Sequence, residues 1–123
     1  MARAQGNSAL ALELCRESLI LSRRLDNKSY MAFCLTALAG VTQAAGDPAR
    51  AARLFGAAEV LLESSGAVLD PHGRLEYDND LAAVRLQLGT VAFAQERQEG
   101  RTMKIDRAIM EVRGIGAQEA TAT

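Results

Sequence analysis

The residues of this sequence most suited to catalysis or metal binding are one histidine, two cysteines and a short acidic run. His72 is the only histidine, so no pair of imidazoles is available to bind zinc. The neighbouring Asp70 is better explained as the N-cap of a helix. Cys15 and Cys34 lie in apolar helical patterns without a C-x-x-C spacing, which is typical of buried, reduced thiols. These residues therefore predict neither a metal site nor a redox site.

The acidic run consists of Glu76, Asp78 and Asp80. An EF-hand calcium loop needs a glycine inside such a run, and none is present here. Tyr77 and Asp80 could act as acid and base, but no nucleophile, oxyanion donor or metal accompanies them. The sequence also lacks the GxxxxGK[ST] loop that binds nucleotide phosphates. We therefore expect no catalytic residues, no cofactor and no metal, and we expect that the protein is not an enzyme.

The charge balance and the hydropathy of the sequence argue against nucleic acid and membranes as binding partners. The 123 residues contain 14 Lys and Arg against 15 Asp and Glu, a net charge of −1, whereas nucleic-acid binders usually carry a basic excess. Charged residues interrupt every apolar stretch before the ~20 residues needed to cross a bilayer, and the first six residues contain no signal-peptide core. We expect a cytoplasmic protein that binds neither nucleic acid nor membrane.

Caps and breakers divide the chain into about six helices, because apolar residues recur at steps of three and four between them. Two Asp-Pro pairs, Asp47-Pro48 and Asp70-Pro71, each supply an N-cap carboxylate followed by a proline that fits the first helical turn. The sequence predicts helices from Asn7 or Ser8 to Leu25, Asn27 to Gly46, Pro48 to Gly66, Pro71 to Gly89, Thr90 to Glu99 (closed by Gly100), and from Thr102 onward.

A weak internal repeat organises these helices. Five residues recur forty positions later: Gly6, Asn7, Ala11, Leu14 and Leu21 match Gly46, Asp47, Ala51, Leu54 and Leu61. A period of this size is typical of two-helix solenoids. The predicted fold is all-α, an antiparallel helix-hairpin array forming one domain over residues 1–113, with residues 114–123 as a disordered tail.

The sequence also resembles known helical repeats. Residues 35–58 resemble a tetratricopeptide unit, with Leu38-Ala39, the turn Gly46-Asp47, and the small or aromatic residues Ala51, Phe55 and Ala58 at matching positions. The run from Ala51 to Ile109 is similar to the C-terminal helical regions of large bacterial LuxR-type and AfsR-like transcriptional regulators. Its matching segments are residues 51–59, Glu76-Tyr77-Asp78, Leu88-Gly89, Phe93 and Glu99-Gly100-Arg101.

This resemblance implies a regulatory protein-interaction domain whose partner is a protein or peptide. The tetratricopeptide match places Phe33, Thr36, Gly40 and Gln43 on a concave binding surface, although Phe33 could equally pack locally. The alternative is a small-molecule-sensing helical domain of a signalling regulator, with its pocket between helices.

The first helix suggests self-association. We expect its core face to carry Ala11, Leu14, Cys15, Ser18, Leu21, Ser22 and Leu25, which leaves Leu12, Leu19 and Ile20 directed elsewhere. Terminal repeats of solenoids normally carry polar residues on such an outer face. The helix also matches the second helix of a repeat unit. We therefore expect either a homodimer formed through Leu12, Leu19 and Ile20 or a fragment of a larger chain.

Overall fold

The computed structural model describes residues 2–113, including the side chains of Leu10 and of residues 12–112. This part contains six helices and no strand, which confirms the all-α prediction. The expected tail, residues 114–123, lies outside the described residues. The helices are α1 (Ala2–Arg24), α2 (Lys28–Ala44), α3 (Pro48–Ser65), α4 (Pro71–Leu88), α5 (Thr90–Thr102) and α6 (Ile105–Arg113).

The predicted N-caps begin three of these helices. In each, a side-chain oxygen accepts a hydrogen bond from a backbone N–H in the first turn, which would otherwise lack a partner. Gly66, with a φ of 72°, closes α3 in the left-handed conformation that glycine adopts without strain. The three cap bonds run from Tyr30 N to Asn27 Oδ1 (3.1 Å), from Arg50 N to Asp47 Oδ1 (3.3 Å) and from Gly73 N to Asp70 Oδ1 (2.6 Å).

Helix α3 is the centre of the fold. It packs along α2 on one side and along α5 on another, while α4 contacts α2, α3 and α5. Helix α1 packs on α2, and α6 folds back to contact both α1 and α3. The largest fully buried side chains come from α1, α2, α3, α4 and α6: Leu19, Leu35, Leu38, Thr42, Leu54, Phe55, Val84 and Val112.

The forty-residue repeat is not reproduced as a repeated structure. Gly46, with a φ of 91°, lies in the turn between α2 and α3, but its sequence counterpart Gly6 lies inside α1, which begins at Ala2. Helices α3 and α5 pack extensively, whereas α1 and α3 scarcely touch. The sequence similarity between α1 and α3 therefore does not place them in equivalent surroundings.

The face of α1 that enters the core differs from the predicted one. Leu19 is fully buried and Leu12 is partly buried against the core, so the prediction that these two lie on an exposed association face is wrong; Ile20 is half-buried. Leucines occur on both sides of this helix, and hydrophobic period alone cannot identify the side that meets α2 and α6. The exposed leucines are instead Leu10, Leu14, Leu21 and Leu25, at 61%, 54%, 55% and 70% exposure.

The boundary between α5 and α6 was also predicted incorrectly. Gly100 lies within α5 and is buried, and Thr102 is the last residue of that helix instead of the cap of the next. Helix α6 begins at Ile105, where the Lys104 carbonyl accepts hydrogen bonds from the N–H groups of Arg107 and Ala108. In the part of the chain that the structure describes, no helix has the length and apolar character needed to span a membrane.

Candidate interaction face between α2 and α4

The four residues predicted to bind a partner lie on one side of α2, and one of them, Gly40, lies against Asp80 of α4. Phe33 is 38% exposed, and Thr36, Gly40 and Gln43 are half-buried. The hydroxyl of Thr36 donates a hydrogen bond to the Phe33 carbonyl within the helix. Tyr30, one turn before Phe33, is 49% exposed. An exposed aromatic surface therefore continues into a partly covered strip beside α4.

The carboxylate of Asp80 on α4 lies directly against Gly40 on α2. A side-chain carbon added to Gly40 would lie 2.7 Å from Oδ2 of Asp80, so the absence of a side chain on Gly40 lets this carboxylate lie against α2.

Asp80 is a partly buried carboxylate for which the described residues provide neither a hydrogen bond nor an ion pair. Its acidic neighbours on α4 are paired: Glu76 lies 2.9 Å from His72 and Asp78 lies 3.4 Å from Arg74. Burial, and secondly the negative charge of Glu76, raise the pKa of Asp80. Asp80 thus carries a negative charge that its surroundings disfavour.

We name this surface the α2–α4 face, consisting of Tyr30, Phe33, Ala37 and Gly40 of α2 with Glu76 and Asp80 of α4. Ala37 is exposed between the two aromatic positions and Gly40. The only basic residue of α2 is Lys28, at its first position. Arg74 of α4 is engaged by Asp78 and lies 5.5 Å from the centre of the Tyr77 ring. The face therefore combines two exposed aromatic residues on α2 with two carboxylates on α4.

A second polar cluster surrounds Glu59 in the interior. Its buried carboxylate accepts hydrogen bonds from Tyr77 Oη (3.2 Å), Arg97 Nε (2.7 Å) and Arg101 (2.9 Å). Burial, followed by the charge and hydrogen bond of Glu59, raises the pKa of Tyr77, so that this hydroxyl remains a donor. Because Tyr77 points to Glu59 whereas Asp80 lies against Gly40, the structure does not bring them together as an acid and base.

Glu59 belongs to a ladder of ion pairs along the contact between α3 and α5. Arg53 pairs with Glu96 at 2.9 Å, and Arg101 pairs with Glu63 at 2.9 Å. The sequence interpretation missed this network, although a signal exists: two glutamates four apart on α3 face two arginines four apart on α5. Every buried side-chain nitrogen and oxygen in the described residues has a hydrogen-bond partner, so the ladder is a satisfied structural network.

Among the described residues, neither the two cysteines nor the acidic side chains form a redox or metal site. Burial raises the pKa of both free thiols, to about 11 for Cys34, where the nearby Cys15 adds to the effect. Residues 2–113 contain no group of three histidine, cysteine or acidic side chains placed to hold a metal ion. A shallow hollow beside the α3–α4 loop contains Glu63 and Arg74, but each is already paired, with Arg101 and Asp78 respectively.

Comparison with known proteins identifies no relative. No protein-family model, no curated protein sequence and no solved structure matches this chain. The case for a function therefore depends on the residues and their geometry.

Proposed function

We propose that this protein is a non-catalytic interaction module that binds a protein or peptide partner through the α2–α4 face. The observation that carries the proposal is the position of Asp80 against Gly40, where this partly buried carboxylate has no cationic partner among the described residues. Isolated charges of this kind lower stability. Residues that oppose stability are a recurring feature of functional surfaces.

The chemistry of the face defines the partner. An apolar side chain of the partner packs on Tyr30 and Phe33, which are exposed by 49% and 38%. A lysine or arginine of the partner pairs with Asp80, gaining a charge-assisted hydrogen bond in a partly desolvated place. A helix or extended peptide that carries an apolar side chain close to a basic one matches this face.

We further propose that this module serves as a tetratricopeptide-like regulatory region of a bacterial transcriptional regulator. The resemblance of residues 51–109 to such regions supports this proposal. The structure adds that separate segments of the run meet: Glu59, Tyr77, Arg97 and Arg101 form one hydrogen-bonded cluster, and Gly100 contacts the backbone of α3. These segments stabilise the arrangement of α3, α4 and α5, which holds the α2–α4 face in place.

Selection from a random peptide-display library tests the binding proposal. We expect enriched peptides to carry an apolar residue close to lysine or arginine, and to bind with a Kd on the order of 1–100 µM, the range of modest peptide interfaces. Binding should weaken at least tenfold for Phe33→Ala and for Asp80→Asn. NMR resonance shifts on titration should centre on Phe33, Gly40 and Asp80.

Leu86→Ala is the matched control, since Leu86 is an 86%-exposed apolar residue on the same helix as Asp80 and lies outside the α2–α4 face. Its affinity for the selected peptides should equal that of the unaltered protein. Peptides that bind Phe33→Ala and Asp80→Asn as tightly as the unaltered protein would contradict the proposal, as would a library that yields no binding peptide.

A further inference from the structure

Three exposed leucines of α1 and Leu25, which follows it in the turn and still donates its N–H to the Leu21 carbonyl, lie in a stripe along one side of the helix. Leu10, Leu14, Leu21 and Leu25 are spaced by four, seven and four residues, which places them on one side of a helix over about 22 Å. Each is more than half exposed. The opposite side of α1 is occupied, because Leu19 enters the core and Arg16 Nε donates a hydrogen bond to the Val112 carbonyl of α6. The stripe therefore faces away from the rest of the fold.

The stripe is symmetric about its midpoint between Glu17 and Ser18. When two copies of α1 lie antiparallel with these midpoints together, Leu10 of one copy meets Leu25 of the other, and Leu14 meets Leu21. Each leucine of the stripe is then opposite a leucine. A surface that complements itself on reversal is what a two-fold dimer requires.

One charge pair beside the stripe fits the antiparallel arrangement, whereas Glu17 lies next to the midpoint and therefore near Glu17 of the other copy. Glu13 and Glu17 precede the midpoint, and Arg24 follows it on the same flank of the helix. All three side chains are exposed, and Arg24 has no ion pair among the described residues. In the antiparallel arrangement Glu13 of each copy approaches Arg24 of the other.

We propose that the exposed stripe of α1 binds a second copy of this chain as an antiparallel helix pair. This surface is separate from the α2–α4 face and does not depend on the proposed function. Four leucines per copy place the contact at the small end of protein interfaces, below about 1,200 Å² in total. The dimer should therefore form with a Kd on the order of 10–100 µM.

Sedimentation equilibrium from ~5 to ~300 µM tests the dimer directly. We expect a reversible monomer–dimer equilibrium for the unaltered protein, and a monomer throughout this range for the double variant Leu14→Glu/Leu21→Glu. The matched control is Leu75→Glu/Leu86→Glu on α4, where the leucines are 60% and 86% exposed; it should dimerise normally. Circular dichroism of each variant confirms that the helices remain. A monomeric unaltered protein at ~300 µM, or a dimer that survives the α1 substitutions, would overturn the proposal.

A charge exchange tests the antiparallel register. Glu13→Arg and Arg24→Glu should each weaken the dimer about three- to tenfold, because each puts like charges together in two symmetry-related pairs. The combined Glu13→Arg/Arg24→Glu variant should dimerise more tightly than either single variant, since opposite charges face each other again, although Glu13→Arg also removes the 3.7 Å pair with Arg16 on the same helix. Glu13 and Arg24 are eleven residues apart on one helix and cannot pair within one copy. A combined variant that is weaker than both single variants would exclude this register.

Discussion

Gly100 of α5 lies directly against the backbone carbonyl of Arg53 in α3, and a side-chain carbon at Gly100 would overlap that carbonyl group. Gly56 of α3 makes the reciprocal approach to the Arg97 carbonyl in α5. These two glycines let the helix backbones touch, and the approach brings Glu59 within hydrogen-bonding distance of Arg97 and Arg101. The contact between α3 and α5 thus depends on two residues without side chains.

We expect Gly100→Ala to destabilise the protein by roughly 1–3 kcal/mol or more, because the new methyl group meets backbone atoms that cannot rotate away. Gly40→Ala is the control, another glycine inside a helix. Its methyl group would meet only the flexible carboxylate of Asp80, and better helix propensity adds up to about 1 kcal/mol. Urea denaturation should therefore show a large loss for Gly100→Ala and no loss for Gly40→Ala. Similar effects at both positions would contradict this description of the crossing.

The Glu59 cluster should contribute strongly to stability. Glu59→Gln leaves Tyr77, Arg97 and Arg101 without their shared carboxylate and should cost about 1–3 kcal/mol, a range lowered to allow for the partial exposure of both arginines. Tyr77→Phe should cost about 1 kcal/mol alone and less in the Glu59→Gln background, because glutamine replaces the charged acceptor of the Tyr77 hydroxyl with a weaker, neutral one. Glu63→Gln, on the exposed end of the ladder, serves as the mild control. Strictly additive free energies of unfolding would exclude the coupling.

Alkaline conditions should destabilise the fold through Cys34. Burial, with a smaller contribution from Cys15, raises the pKa of this thiol from 9.0 to about 11. A group that binds its proton more tightly when folded contributes stability that is complete below pH 9 and is lost as the pH rises toward 11. The thermal midpoint of the unaltered protein should therefore fall between pH 9 and 11, and that of Cys34→Ala should fall less steeply. If the thermal midpoints of the two proteins fall equally, the loss of stability comes from other groups such as Tyr77, whose pKa is also raised by burial.

The sequence predicted local structure correctly where a short motif favours a single local conformation. An Asp-Pro pair can begin a helix almost anywhere, so Asp47 and Asp70 marked the starts of α3 and α4 correctly. The tetratricopeptide resemblance placed Gly40 on a concave binding surface, and that placement stays a prediction. The sequence could not identify Asp80 as the neighbour of Gly40, because the contact between these residues depends on how α2 and α4 pack.

Two errors have a common origin in tertiary contacts. Gly100 was interpreted as a helix terminator because glycine is frequent at helix ends, yet it is retained inside α5 by close approach to Arg53. On α1, leucines line both sides of the helix, and the core face was fixed by α2 and α6 instead of by the hydrophobic period. In both cases the residue pattern permits two structures, and packing selects one of them.

The free energy of unfolding of Asp80→Asn tests most directly whether the α2–α4 face retains a charge at the expense of stability. The pKa of Asp80 is raised in the folded protein, so its contribution to stability is present below the ordinary carboxyl range and is lost as the pH rises through the folded pKa. Asp78→Asn is the control, since Asp78 is paired with Arg74. We predict that Asp80→Asn is more stable than the unaltered protein at pH 7, that this difference disappears near pH 3.5, and that Asp78→Asn brings no gain. An Asp80→Asn protein that is less stable at pH 7 would show that this carboxylate supports the fold, and would contradict the proposed binding face.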